Sequence, residues 1–340
     1  MWKNIQLHRK IAPELIGLVE ERYDILRHIQ HFEPIGRRAL ALIVEKGERV
    51  VRAQVEFLKN AGFLEISPMG MTLTPEGQLM QNQLSEYVKV LHGLTMLEGE
   101  LSEKLGIKQV IIIPGDSEAN NMVRRELGRA TANLLARYLH KDNMIVAVSG
   151  GTIMANVAES VNFSQPTVTV VPARGGLGGQ VEYQANSIAA TMATKLGGQY
   201  RMLHLPDGVS EEMVATMLAN NTNILTVADM IKKADVLIHG IGVAREMALR
   251  RGLDEDFVNK LINSGAVGEA LGHYCTLTGK HVHISSSVGL QLDNLAEIGL
   301  VIAVAGGRKK AEAIVAVTSA GGQDVLITDE AAAKAIQSII

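Results

Sequence analysis

The chain has 340 residues, with 33 lysines and arginines against 36 aspartates and glutamates, for a formal net charge of −3. That length favours two domains, and the charge balance excludes a uniformly basic surface while leaving room for a local cationic face. The lone Cys275 rules out an internal disulfide or a cysteine-rich metal centre. No apolar run approaches the length of a membrane span, and the first residues, Met1 to His8, lack the apolar core of a secretory signal. The expectation is a cytoplasmic protein that uses no metal and no cofactor.

Leu15, Leu18, Val19, Leu26 and Ile29 recur at helical spacing and predict a first helix ending near Phe32. Pro34 disfavours helix in its predecessor, so the chain restarts through Glu33-Pro34-Ile35-Gly36. A short helix is predicted over about 36–44. A second opens at Gly47-Glu48 and turns Val51, Val55 and Leu58 to one face. Phe63 to Ile66 and Met71 to Thr74, around Ser67-Pro68-Met69-Gly70, predict a two-stranded wing. Thr74 then caps a helix whose first turn holds Pro75. Between Pro34 and Asn60 six basic residues face three acidic ones. Residues 1–82 are therefore expected to form a winged helix-turn-helix that binds double-stranded DNA, with Arg37, Arg38, Arg49 and Arg52 as contact candidates. The alternative is a helical docking or oligomerisation module with solvated charges.

The segment over about 84–105 reads as one helix. Leu84, Val88, Leu91 and Thr95 form one stripe, and Leu94, Leu97, Leu101 and Leu105 a second. Residues 83–106 are expected to be a linker, either contacting a second copy or packing on their own domain.

From about 107 onward, strand-like runs (110–113, 145–148, 168–171, 236–238, 300–304) alternate with amphipathic helical patterns. That alternation predicts an α/β domain over 107–340, with a doubly wound, largely parallel, Rossmann-like sheet. Val148-Ser149-Gly150-Gly151-Thr152-Ile153 is a strand, a double glycine, a hydroxyl residue and a helix start. Backbone amides and the helix N-terminus can hold an anion there. Arg174 lies in the glycine run 171–179, His239-Gly240-Ile241-Gly242 ends another strand, and Gly306-Gly307-Arg308-Lys309-Lys310 begins a basic turn. In an open parallel sheet such loops gather beside one crevice. Neither a dinucleotide fingerprint nor a Walker loop occurs. His281 and His283 alternate as in a strand, without the further ligands of a zinc site.

Ile35-Gly36-Arg37-Arg38, Val171-Pro172-Ala173-Arg174-Gly175-Gly176, His239-Gly240-Ile241-Gly242 and Val304-Ala305-Gly306-Gly307 resemble the SorC family of sugar-responsive regulators, over essentially the whole length. The resemblance implies an oligomeric repressor of a glycolytic operon, with fructose 1,6-bisphosphate or a related sugar phosphate as effector. It also implies an effector domain similar to sugar-phosphate isomerases and glucosamine-6-phosphate deaminase. Gly150, Gly151, Thr152 and Ile153 would hold one phosphate, and Arg174, Gln184, Arg250, Arg251, Glu269 and Lys310 would complete the site. Ile153 stands where the family pattern has a second threonine, which leaves only its amide to donate. The competing expectation is an isomerase or deaminase with Asp116, His239 or Glu269 as general base.

Overall fold

The computed structural model describes residues 10–176, 180–205 and 210–340. The segment Met1 to His8 and the later part of the glycine run, Leu177-Gly178-Gly179, lie outside the described residues. The chain divides into two compact units, Met1–Met96 and Leu97–Ile340.

In the smaller unit, α1 (Pro13–Phe32), α2 (Arg37–Ile43) and α3 (Glu48–Asn60) precede the hairpin β1 (Leu64–Ser67) and β2 (Gly70–Leu73). Val51, Val55 and Leu58 of α3 are buried against Ile25, Leu26 and Leu40, a core that a stripe at helical spacing is built to make. Ile35 pairs with Met71 in both directions, at 3.1 and 2.8 Å, and adds a third edge to the wing. A side chain on Gly70 would strike the Ile35 backbone, so this close approach requires glycine. Thr74 accepts from the Gly77 amide at 3.0 Å and starts α4 (Pro75–Leu91).

The single helix expected over 84–105 is in fact two, α4 and α5 (Leu94–Leu105). Gly93 takes φ 73°, a left-handed stop that the leucine periodicity conceals. Along the two stripes Val88, Leu91, Leu94 and Leu101 are buried, while Leu84 is half-buried and Thr95 exposed. The units divide between Met96 and Leu97, inside α5, where the sequence suggests a separate linker over 83–106. Glu98 accepts from the Ile112 amide at 2.7 Å and ties α5 to the larger unit.

The larger unit is built on β3 (Gln109–Ile113), β4 (Ile145–Val148), β5 (Thr169–Pro172), β6 (Gln199–Tyr200), β7 (Val236–Gly240), β12 (Leu300–Val304) and β13 (Val325–Asp329). They form one parallel sheet in the order β3-β13-β12-β7-β4-β5-β6. Every residue of β12 and β13 is buried, as expected of strands covered on both faces. The helices α6 (Asn121–Tyr138), α7 (Thr152–Ser160) and α8 (Ala185–Leu196) cover one face. From β4 the chain runs outward through β5 and β6, then returns to place β7 on the other side of β4. The β4–β7 seam is thus a topological switch point, where loops diverge and leave a crevice.

A second, antiparallel sheet was not foreseen from the sequence. It comprises β8 (Gly242–Val243), β9 (Ala266–Ala270), β10 (His273–Thr276) and β11 (His281–Ile284) in the order β11-β10-β9-β8. The β9–β10 hairpin turns on Leu271 and Gly272, both at positive φ. Between β8 and β9 lie α9 (Ala244–Arg250) and α10 (Glu255–Asn263), whose Ala248, Val258 and Leu261 pack with Tyr274.

Candidate effector site and DNA-reading surface

Ser149 staples the switch point. Its amide donates to the Ile238 carbonyl at 3.0 Å, and its hydroxyl accepts from the Gly240 amide at 3.0 Å and donates to the Gly150 carbonyl at 3.3 Å. The glycine loop is thereby fixed to β7 as well as β4. Gly150 packs under the Tyr183 carbonyl, where any side chain would collide. Gly151 donates to that same carbonyl at 2.9 Å. At φ 118° and ψ 162°, Gly151 occupies a region open essentially to glycine alone. No side chain caps α7 behind it, so the first amides of the helix remain available for an anion. Ile153 turns its side chain to the core, which leaves only its backbone for the loop.

This loop opens on a cavity of about 700 Å³. Every effector candidate named from the sequence lines it: Gly150, Gly151, Thr152 and Ile153, then Arg174 and Gln184, then Arg250, Arg251, Glu269 and Lys310. The sequence reading missed Ser149, Ser117, Glu118, Arg124 and Glu246, which line the same space. Ser149 stood inside the recognised motif. Ser117 and Glu118 follow Pro114-Gly115 and Glu246 follows Gly242, but only Arg124 lies in a segment with no nearby glycine turn.

The cations differ in their circumstances. Arg174 is buried and donates to the carbonyls of Leu271 and Ser285, the latter at 3.2 Å, so it braces the small sheet against β5. Arg251 follows α9 and pairs with Glu269 Oε1 at 2.9 Å while donating to the Tyr274 hydroxyl at 3.0 Å. The side chains of Arg250 and Lys310 make no ion pair or hydrogen bond among the described residues. Burial holds the Lys310 pKa below that of an ordinary lysine. Glu246 and Glu118 oppose that shift, and Arg250 and Arg124 reinforce it. An anion in this space would offset the crowded positive charge. Arg308 and Lys309, its neighbours in the basic turn, are exposed.

Of the three candidate bases, Asp116 and His239 do not line the cavity. Asp116 accepts from the Glu118 amide at 2.8 Å, and Asn120 rather than Asp116 caps α6. His239 is wholly buried, which lowers its pKa, and its Nδ1 lies 3.0 Å from the Gly240 carbonyl. Glu269 reaches the cavity, but its Oε1 accepts from both Arg251 and the Gly272 amide. A carboxylate so engaged is braced rather than poised to take a proton. Among the described residues no cluster could hold a metal ion, and no helix is long and apolar enough to cross a membrane.

In the smaller unit Arg37, Arg38, Arg49 and Arg52 are all exposed. Arg38 lies 3.9 Å from Glu48, a solvated pair of little strength. Arg37, Arg49 and Arg52 have no carboxylate partner among the described residues. Arg49 lies on the side of α3 away from its buried stripe, and Arg52 lies on the flank between them. Arg22 lies over the Phe57 ring at 3.6 Å and donates to Gln54 at 3.0 Å, fixing α1 beside α3.

Residues 18–88 match the family model "CggR N-terminal DNA binding domain", and residues 89–338 match "Putative sugar-binding domain". The chain is 43% identical over 332 residues to the central glycolytic genes regulator of Priestia megaterium (strain DSM 319 / IMG 1521), spanning 97% of each. It is similar to the crystal structure of the putative SorC family transcriptional regulator from Enterococcus faecalis, at 40% identity and TM-score 0.66, covering 71% of this chain and 99% of that one. The full-length sorbitol operon regulator SorC from Klebsiella pneumoniae shares the fold at 16% identity and TM-score 0.65, over 94% of this chain and 98% of that one. With a DNA-binding family match on the winged unit and a sugar-binding one on the cavity-bearing unit, the chain belongs to the SorC family of transcriptional regulators.

Proposed function

We propose that this protein is a cytoplasmic, oligomeric repressor of a glycolytic operon, and that a phosphorylated sugar, with fructose 1,6-bisphosphate the leading candidate, relieves its hold on operator DNA. The observation that carries this reading is the meeting of an uncapped glycine loop with unpaired Arg250 and Lys310 in one cavity. Helix-terminal amides and desolvated cations both favour phosphate, and neither favours a neutral sugar. Glu269 then offers an acceptor for sugar hydroxyls. The similarity to central glycolytic genes regulators supports the glycolytic assignment.

The effector can act on DNA binding only through its different affinity for the DNA-competent and DNA-released states. A coupling of about 1–3 kcal/mol changes operator affinity roughly 5- to 150-fold. Fluorescence anisotropy on promoter fragments, with and without fructose 1,6-bisphosphate, tests the reading. The expected result is binding that weakens in the sugar's presence. A Thr152→Ala/Lys310→Ala variant should lose that response. An equal response in the variant and the parent would remove the cavity from the mechanism.

A further inference from the structure

The wing carries no positive charge. From Phe63 to Thr74 the one charged residue is Glu65, and it is exposed. This hairpin therefore has no cation with which to neutralise a phosphate, and the flank that bears Glu65 is repelled by the DNA backbone. Yet the wing follows α3 directly, through Ala61-Gly62, and lies inside the stretch that matches a DNA-binding domain.

Its tip is apolar and held in place. Met69 is 80% exposed, and Ile66 nearby is exposed as well. The Met69 amide donates to Ser67 Oγ at 3.2 Å, and that hydroxyl donates to the Gly70 carbonyl at 3.2 Å. Gly70 presses on the Ile35 backbone, and Ile35 pairs with Met71. The turn is thus tied to the segment that enters α2, with Pro68 restricting it further. Met71 and Leu73, the inward residues of β2, already fill the core beneath, so Met69 stands outward on a fixed mount.

A duplex offers an apolar tip one kind of shelter. The minor groove is only about 6 Å wide, too narrow for a helix but open to a single side chain at the end of a hairpin. An unbranched, polarizable methionine adapts to such a slot. Apolar wedges there act on the stacking of a base step and need no cation.

We propose that Met69 enters the minor groove next to the major groove read by α3 and wedges against a base step, so that the wing recognises DNA shape rather than phosphate charge. This rests on DNA binding by the smaller unit and adds to it a contact of a different physical kind.

Fluorescence anisotropy of the full-length protein on operator-bearing promoter fragments, run across a salt series, tests it. Met69→Ala should weaken binding about 5- to 30-fold, the scale of losing one covered apolar side chain. The slope of log affinity against log salt should stay unchanged, since no phosphate contact is lost. Met69→Leu should bind within about 3-fold of the parent, because it conserves the apolar volume. Met69→Lys places a cation at the tip and should steepen the slope by roughly 0.9. Energy transfer across an end-labelled fragment should show less bending with Met69→Ala than with the parent. The substitutions lie in an exposed turn, so each variant should keep the parent's melting temperature, which separates a lost contact from a folding defect. A steeper slope for the lysine variant with no loss for the alanine variant would place the tip beside phosphates without a wedge, and would overturn the proposal. No change in either variant would take the tip off the DNA altogether. A parent that binds no promoter fragment would instead sink the DNA-binding assignment on which the wedge depends.

Discussion

Arg251 Nη2 lies 2.9 Å from Glu269 Oε1, with the two side chains only 6% and 4% exposed. The pair joins the end of α9 to β9 and forms part of the cavity wall. Removing one partner strands the other charge in the interior, whereas replacing both with apolar groups avoids that cost. Glu269→Ala should therefore lose about 3–5 kcal/mol in urea unfolding. Arg251→Met/Glu269→Leu should lose much less. A single variant as stable as the parent would mean that water already reaches the pair.

Lys310 should make effector binding depend on pH. Its folded pKa lies below the ordinary lysine value, so the unfolded chain holds more protons between those two values. The group's contribution to stability is accordingly full above the ordinary lysine pKa and is lost as pH falls through the lowered one. A bound phosphate favours the ammonium and raises the pKa again, so binding takes up a proton between the lowered and the ordinary pKa. Affinity should fall as pH rises through that range. Calorimetry in buffers of different ionisation enthalpy would show the uptake, and Lys310→Met should abolish it.

Much of this was legible because the relevant signals are local. Val51, Val55 and Leu58 announce α3 by spacing, Thr74-Pro75 announces a capped helix, and Gly150-Gly151-Thr152 announces a loop that ends a buried strand. What remained hidden depends on tertiary partners. The periodic leucines run straight across Gly93, since a left-handed stop leaves the apolar pattern intact on both sides. Arg174 lines the cavity as its place in the glycine run suggests, but its hydrogen bonds to the carbonyls of Leu271 and Ser285 come from a distant hairpin that no local signal announces. Arg124 sits in an ordinary amphipathic helix, and nothing in its neighbours marks it as facing a crevice.

Gly151 allows a test of the loop that spares side-chain chemistry. An added Cβ would meet nothing within 4 Å, so Gly151→Ala introduces backbone strain without a clash. At φ 118° that strain is of order 1–3 kcal/mol. The loop should relax away from its amide-presenting shape, and fructose 1,6-bisphosphate should bind at least about 10-fold more weakly, the equivalent of 1.4 kcal/mol. Thermal-shift titration reads this directly. Unchanged affinity would show that the loop amides do not hold the ligand.

Arg49 and Arg52 give the DNA-reading surface its own quantitative signature. Both are exposed on α3, outside the stripe that anchors the helix, so truncating them should leave the unit folded. Each arginine that neutralises a phosphate releases counterions, and the slope of log affinity against log salt falls by roughly 0.9 for each contact removed. An arginine that reads a guanine edge instead costs about 1–3 kcal/mol at that base pair and relaxes preference there. Operator binding by Arg49→Ala and Arg52→Ala, measured across a salt series and on single-base variants, separates the two roles residue by residue. If neither substitution alters the slope or the base preference, α3 does not lie in the groove, and the DNA-facing surface must be sought on the wing or on α2.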